Sequence, residues 1–290
     1  MVPKPKGERF NPLYILKQLM KCDGVIYTGG NLFQDETSLR NFVYYYSIAL
    51  AALKMGKKVF LISQGLGPLK SKMARRLLRK LFAHKRISGC FRDRVSLKYA
   101  NHGTEKFFEC VDVAAIAMDG VKVDTPLRNV VTLVLNERPN VEELIRAFKL
   151  LKLENIRILS MSPLAEKKTV ERVLKRFNEE RFNVELAGIG LEKALSSIAS
   201  SSLVVTHRLH GALTALYYGI PFVTYGSPKN IRTITNILDD YDLFFKNAED
   251  LAISIEHAYN RDFQAMKEKY RESCHRSTIT IGERMKDFFT

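Results

Sequence analysis

In the stretch VVTHRLHGALTALYYGIPFVTYGSPKN, residues 204–230, an arginine and a histidine, Arg208 and His210, fall where a β-branched run gives way to a helical pattern. The first turn of a helix carries free backbone N–H groups and the positive end of the dipole. It favours an anion there and disfavours a further cation unless an anion neutralises it. A guanidinium and a titratable imidazole at that place suit a chemistry in which an anionic group is held and a proton is exchanged near neutral pH. The competing readings are a structural ion pair for Arg208 and a satisfied core histidine for His210. Lys229, in the loop after the next expected strand, reads either as a cation for the same anion or as a solvated lysine.

Three more loops carry polar residues directly after expected strands, where open α/β sheets bind their ligands. The first, TGGNLFQD (residues 28–35), contains Gly29, Gly30, Gln34 and Asp35; the second, SQGLGP (63–68), contains Gln64 and Gly65; the third is RDR (92–94). Each also has a plain structural reading. Gly29 and Gly30 suit a tight strand-to-helix turn as well as a phosphate contact. Gly65, Gly67 and Pro68 read as a turn before the next helix. Asp35 suits the N-cap of a helix starting near Thr37, and Asp93 is a good N-cap too, which leaves Arg92 as the more interesting member of its pair.

What must position these loops is a βα series. Short runs rich in Val, Ile and Phe, at 24–28, 58–63, 87–91 and 106–109 and again at 130–135, 156–161, 183–187, 203–206 and 222–225, alternate with amphipathic segments. That pattern predicts two Rossmann-like, doubly wound α/β domains. The helices are expected at 37–55, 71–85, 94–101, 141–151, 166–179, 192–200, 210–218 and 230–238. Gly and Pro in MDGVKVDTPLRN (118–129) interrupt the periodicity. The expected domains are therefore 1–122 and 123–275, with 276–290 a terminal helix packing back on the first; the tail from Ala248 reads as two or three helices. The length, 290 residues, suits two cores.

Composition narrows the class. No apolar run is long enough to cross a bilayer and no secretory signal is evident, so a cytoplasmic location is expected. Cys22, Cys90, Cys110 and Cys274 lack the spacing of a zinc or redox motif and read as reduced thiols; no metal is expected. The net charge of +15 is uneven: residues 1–125 hold 22 Lys and Arg against 10 Asp and Glu, and the remainder 24 against 21. Between Lys70 and Arg86 (KSKMARRLLRKLFAHKR) there is no acid, and Met73, Leu77, Leu78, Leu81 and Phe82 form an apolar stripe opposite the cations. This basic amphipathic helix reads as a solvated face or as a patch drawn to anionic lipid or a phosphorylated substrate. No nucleic-acid motif accompanies it.

Taken together, GVIYTGGNLFQDETSLRNFVYYYSIALAALKMGKKVFLISQGLGPL, FRDRVSL and VVTHRLHGALTALYYGIPFVTYGSPK resemble the signature of the polysaccharide pyruvyl transferases, especially the bacterial cell-wall type. The resemblance runs over most of residues 10–238. It implies two Rossmann-like domains facing across a cleft as in GT-B glycosyltransferases, phosphoenolpyruvate as donor, and as acceptor a sugar diol, free or lipid-diphosphate-linked at the inner membrane face. It further implies that Arg92, Arg208 and Lys229 hold the donor's phosphate and carboxylate, that His210 is the acid/base, and that no metal or organic cofactor is needed. Three departures stand out. The strand and Gly-Asn-x-Gly-Asp loop that usually open the family's first domain are missing ahead of the matched segment, Asn31 stands where a third glycine is common, and Gly211 stands where alanine is common. A nucleotide-sugar glycosyltransferase and a non-catalytic glycan-binding remnant are the alternatives.

Overall fold

The computed structural model describes residues 11–36, 38–102, 105–119, 121, 123, 129–136 and 139–290. The chain divides into two compact units, Met1–Val113 with Cys274–Thr290, and Ala114–Ser273. Both are α/β and Rossmann-like.

In the first unit α1 (Pro12–Lys21), β1 (Gly24–Thr28), α2 (Leu39–Lys54), β2 (Lys58–Gln64), α3 (Lys72–Ala83), β3 (Ile87–Phe91), α4 (Arg94–Ala100) and β4 (Phe107–Glu109) alternate, and the four parallel strands lie in the order β1-β2-β3-β4. The period of two along β2 sorts its side chains between two cores. Val59 and Leu61 join Phe42, Leu78, Phe82 and Phe91 on the side covered by the helices. Phe60 points the other way, to Cys90, Cys110 and Ile281. Helix α2 begins one residue after its Ser38 cap, whose hydroxyl accepts from Asn41 N–H; the expected start at Thr37 lies outside the described residues. Helix α1, not anticipated from the sequence, is fixed by Asn11, which accepts from the N–H groups of Leu13 and Tyr14, and by Pro12 in the first turn.

The second unit contains α5 (Ala114–Asp119), β5 (Val131–Val134), α6 (Val141–Leu150), β6 (Asn155–Leu159), α7 (Pro163–Glu179), β7 (Asn183–Leu186), α8 (Leu191–Ala199), β8 (Leu203–Thr206), α9 (Leu209–Tyr218), β9 (Phe222–Tyr225), α10 (Pro228–Leu238), β10 (Phe244–Phe245) and α11 (Ala248–Tyr259). Its six strands are parallel in the order β10-β9-β8-β5-β6-β7. Strands β5 and β8, VTLV and LVVT, are buried throughout, as central strands covered on both faces must be. The order reverses around β5, so the topological switch point lies between the carboxyl ends of β5 and β8.

The division falls at Val113, earlier than the expected 122/123, because α5 belongs to the second unit: the Tyr217 hydroxyl donates to the Asp119 carboxylate. Residues 120, 122 and 124–128 of the expected boundary lie outside the described residues. The tail after α11 is one helix, α12 (Phe263–Phe289), whose residues from Cys274 onward belong to the first unit. Among the described residues no helix is long and apolar enough to cross a membrane.

Candidate functional site

Arg208 sits at the switch point, as the N-cap of α9 in an extended conformation. Thr206 fixes the turn: its hydroxyl accepts from Arg208 N–H and donates to Arg208 C=O, both at 2.9 Å. The closeness of that hydroxyl explains Gly211, since a Cβ at this position would lie 2.3 Å from Thr206 Oγ1. The guanidinium Nε donates to Leu135 C=O at the end of β5 (3.2 Å), and Nη2 donates to Glu166. Glu166 is wholly buried in the first turn of α7. Burial pushes its carboxyl up, but the hydrogen bonds from Ser160 Oγ (2.5 Å), Arg208 and Ser162 N–H outweigh it and hold the carboxyl below its ordinary range. The anion that a cation at this helix start requires is thus supplied by the chain itself. About a third of the Arg208 side chain (34%) nevertheless stays exposed, enough for a ligand to meet it.

His210, two residues further on, is exposed and opens onto a cavity of about 540 Å³, which Ser160, Met161, Pro163, Gly190, Leu191 and Thr214 help to line. Helices α7, α8 and α9 all begin at this cavity, and none receives a hydrogen bond from its N-cap side chain. In the same unit α6, α10 and α11 are capped by Asn140, Ser227 and Asn247. The three helix starts turn the positive ends of their dipoles toward the polar part of the wall, and the rest is apolar. Lys229 lies in the first turn of α10, partly buried; its neighbour Asn230 pins that turn to β9 through Thr224 Oγ1 and Tyr225 C=O, both at 3.0 Å.

His207, which sequence reasoning passed over, precedes Arg208 and faces elsewhere. Its ring stacks on Tyr225 (centroids 5.4 Å, 22°) and meets the edge of Phe245. It lines a second cavity of about 250 Å³ with Asn136, Asn140 and Asn247. Burial pushes its imidazole down to about 4.

The first unit gathers the remaining candidates around Arg92. This side chain is 1% exposed, paired with the buried carboxylate of Asp112 and donating to Asn31 Oδ1 at 2.7 Å. Asn31 in turn donates to Gly67 C=O at 2.8 Å. A Cβ on Gly65 would lie 2.2 Å from Asn31 Oδ1, so this glycine is required by the close passage of the Asn31 side chain. Gly29 and Gly30 have φ of 58° and 76°, the left-handed region of a tight turn. Gln64 is fully buried and donates to Gly29 C=O, and Gly65 N–H donates to Gly30 C=O at 2.8 Å. Gln34 accepts from Glu36 N–H at 2.8 Å. Asp35 does not cap α2. Its two oxygens take the N–H groups of Lys70 and Ser71, both at 2.7 Å, at the entrance to α3. In this unit, then, the candidate residues interlock two loops, and the Arg92 guanidinium reaches a ligand only if the Asn31 and Gly65 segments part.

Asp112, Glu166 and His207 are polar residues the sequence reading missed, and Asn31 was met there only as a departure from glycine. Asp112 follows β4 as the other loops follow their strands, and extending the search to that loop finds it. Glu166 carried no signal, since acids in the first turn recur in other helices of this unit, as at Glu142, Glu192 and Glu249.

The sequence profile of the family described as "Polysaccharide pyruvyl transferase" matches residues 2–228. No curated protein matches. Among solved structures, the UDP-N-acetylglucosamine 2-epimerase of Rickettsia bellii is similar with a TM-score of 0.65 at 12% identity, over 96% of this chain and 77% of that one. The enzyme of the same name from Methanocaldococcus jannaschii, in complex with UDP-GlcNAc and UDP, gives 0.60 at 15%, over 92% and 80%. Anabaena HepE in complex with UDP gives 0.59 at 11%, over 95% and 81%. At these identities the likeness is one of fold, GT-B-like with Rossmann-like α/β domains.

Proposed function

The chain belongs to the polysaccharide pyruvyl transferase family, and from that premise we propose that it moves the pyruvyl group of phosphoenolpyruvate to two hydroxyls of a sugar in a cell-wall or surface polysaccharide precursor. The observation that carries this reading is exposed His210, two residues after partly exposed Arg208 at one helix start, lining a cavity on which three helices begin without a hydrogen bond from their N-cap side chains. Protonation of the donor's methylene carbon makes it a methyl group and leaves positive charge on the adjacent carbon. A sugar hydroxyl attacks that carbon, the C–O bond to phosphate breaks, and a second hydroxyl closes the ketal. Of the two hydroxyl protons released, one balances the proton taken by the methylene and the other leaves with phosphate.

In this reading His210 delivers and recovers the proton, while Arg208 and Lys229 offset the charge that gathers on the departing phosphate. Arg92 acts by setting the Asn31–Gly65 loops. No organic cofactor enters these steps, and they need no metal.

The test is phosphate release from phosphoenolpyruvate, followed by ³¹P NMR with a panel of sugar diols, for the wild type and His210→Gln. Loss of an acid/base group costs about 10²–10⁴ in rate. Release with an unchanged rate in the variant overturns the role of His210, and no release with any diol overturns the donor.

One observation favours a second reading. The His207–Tyr225–Phe245 cluster and the three asparagines of the smaller cavity suit a planar, hydrogen-bonding ring, as a nucleotide-sugar donor carries. Thermal stabilisation by UDP-sugars but not by phosphoenolpyruvate would favour it.

A further inference from the structure

Helices α3 and α4 lie side by side on the first sheet: Tyr99 donates from its hydroxyl to Arg75 C=O at 2.9 Å, and the Arg79 guanidinium rests 5.6 Å from the Tyr99 ring centroid. Neither helix contains an acid. Ala74, Leu78, Leu81 and Phe82 anchor α3 to the core, and Ser96 and Ala100 anchor α4. The outer face carries Lys72, Arg76, Arg79 and Lys80 from α3 and Arg94 and Lys98 from α4, all exposed; Arg94 has the Glu109 carboxylate 3.5 Å away. Leu77, expected in the apolar stripe, is only partly buried, and Met73, also expected there, is 50% exposed. Val95 is 57% exposed. Met73 and Val95 both stand in the first turn of their helices, hence at the same end of the helical layer, beyond the carboxyl edge of the sheet.

We propose that this face docks on an anionic phospholipid surface, its six cations against the headgroups and Met73 and Val95 in the interfacial layer. A cationic face explains attraction to any polyanion; the two apolar side chains among the cations are what single out a bilayer, because they gain only where there is an apolar layer to enter. The rings on these helices are not displayed for stacking on bases: Phe82 is buried and Tyr99 is covered by Arg79. The inference is independent of which donor the protein uses. It places the carboxyl edge of the first sheet, with its Gly30, Asn31 and Gly65 loops, at the membrane, where a lipid-borne acceptor would be met.

The experiment is co-sedimentation of the full chain with phosphatidylcholine vesicles and with vesicles containing about one third phosphatidylglycerol. Binding to the anionic vesicles should be at least about tenfold stronger and should fall with salt. Each cation near such a surface contributes about fivefold to partitioning, so Arg76→Glu/Lys80→Glu should lower it by more than about 25-fold. Both side chains are fully outside the core, and a thermal unfolding curve checks that the variant stays folded. Met73→Ser/Val95→Ser, with the charge unchanged, should weaken binding severalfold. Equal binding to both vesicle types overturns the proposal. So does tighter binding to single-stranded RNA than to anionic vesicles with no effect of Met73→Ser/Val95→Ser, which would make the face a nucleic-acid surface.

Discussion

Arg208 and Arg92, one in each unit, each meet a buried carboxylate, Glu166 and Asp112, so each cation is oriented by the chain itself. That arrangement determines how variants behave. Arg208→Ala leaves the Glu166 carboxylate buried without its partner and should cost about 3 kcal/mol in urea unfolding, whereas Arg208→Ala/Glu166→Gln should recover a large part of that loss. A ligand-binding defect in Arg208→Ala alone therefore has to be read against its stability. Because the folded Glu166 carboxyl is held below its ordinary value, the unfolded chain binds more protons; the stabilisation is present above about pH 4.3 and is lost as pH falls through the lower folded value. Glu166→Gln should flatten the stability profile in that acid range. His207 acts in the next window up. Its folded pKa of about 4 lies below the ordinary 6.5, so the neutral ring is the folded form, and stability should decline as pH falls from about 6.5 to about 4, by at most about 3 kcal/mol. His207→Phe, which keeps the ring contacts with Tyr225 and Phe245, should remove that decline in unfolding curves measured between those pH values.

At the scale of elements, the strands were the most legible feature, because β5, β8 and β9 are short apolar runs bounded by turn residues; α6 carries a periodic apolar face, whereas α9 is apolar and buried almost all round. The basic helix was legible as an element but not in its rotation. Met73 and Leu81 fit one stripe on paper, yet only Leu81 is buried, since Ala74 and Leu78 take the inner positions. Side-chain pairings across elements were not legible. Asn31, met in the sequence as a departure from glycine, proves to be the link between Arg92 and Gly67, and no local pattern announces a contact between residues 61 positions apart. Gly211 likewise looked exchangeable for alanine in the sequence. Beside the Thr206 hydroxyl it is not: Gly211→Ala must displace the group that fixes the start of α9, and should cost about 1–3 kcal/mol. Gly211→Ala/Thr206→Val relieves the hydrogen-bonding hydroxyl but keeps the volume, so it should not restore stability, whereas Gly211→Ala/Thr206→Ser, free of the methyl and able to rotate, should recover part. Urea midpoints of the three variants decide this.

At the scale of the molecule, the alternation of strands and helices was enough to give two α/β units, but not the place where they divide, because the last strand of the first unit and α5 are followed by a segment without periodicity. A terminal helix returning to the first unit was expected at 276–290; what the sequence did not show is that this helix begins at Phe263, inside the second unit. Residues of α12 from Cys274 onward are what cover the second face of the first sheet: Ile281 is 6% exposed against Phe60, Cys90 and Cys110, Phe288 and Phe289 pack on Phe60, and the Ser277 hydroxyl accepts from Val111 N–H at 3.1 Å. The first unit therefore depends on residues more than 160 positions away from the strands they cover, whereas the second unit draws only on the continuous segment Ala114–Ser273. A cavity cut into that contact should loosen one unit and spare the other. Ile281→Ala should cost about 2–4 kcal/mol by the removal of buried methyl and methylene groups. In hydrogen exchange followed by mass spectrometry, protection should fall across β1–β4 and hold across β5–β9; an equal fall in both sheets would mean that the two units unfold as one cooperative body.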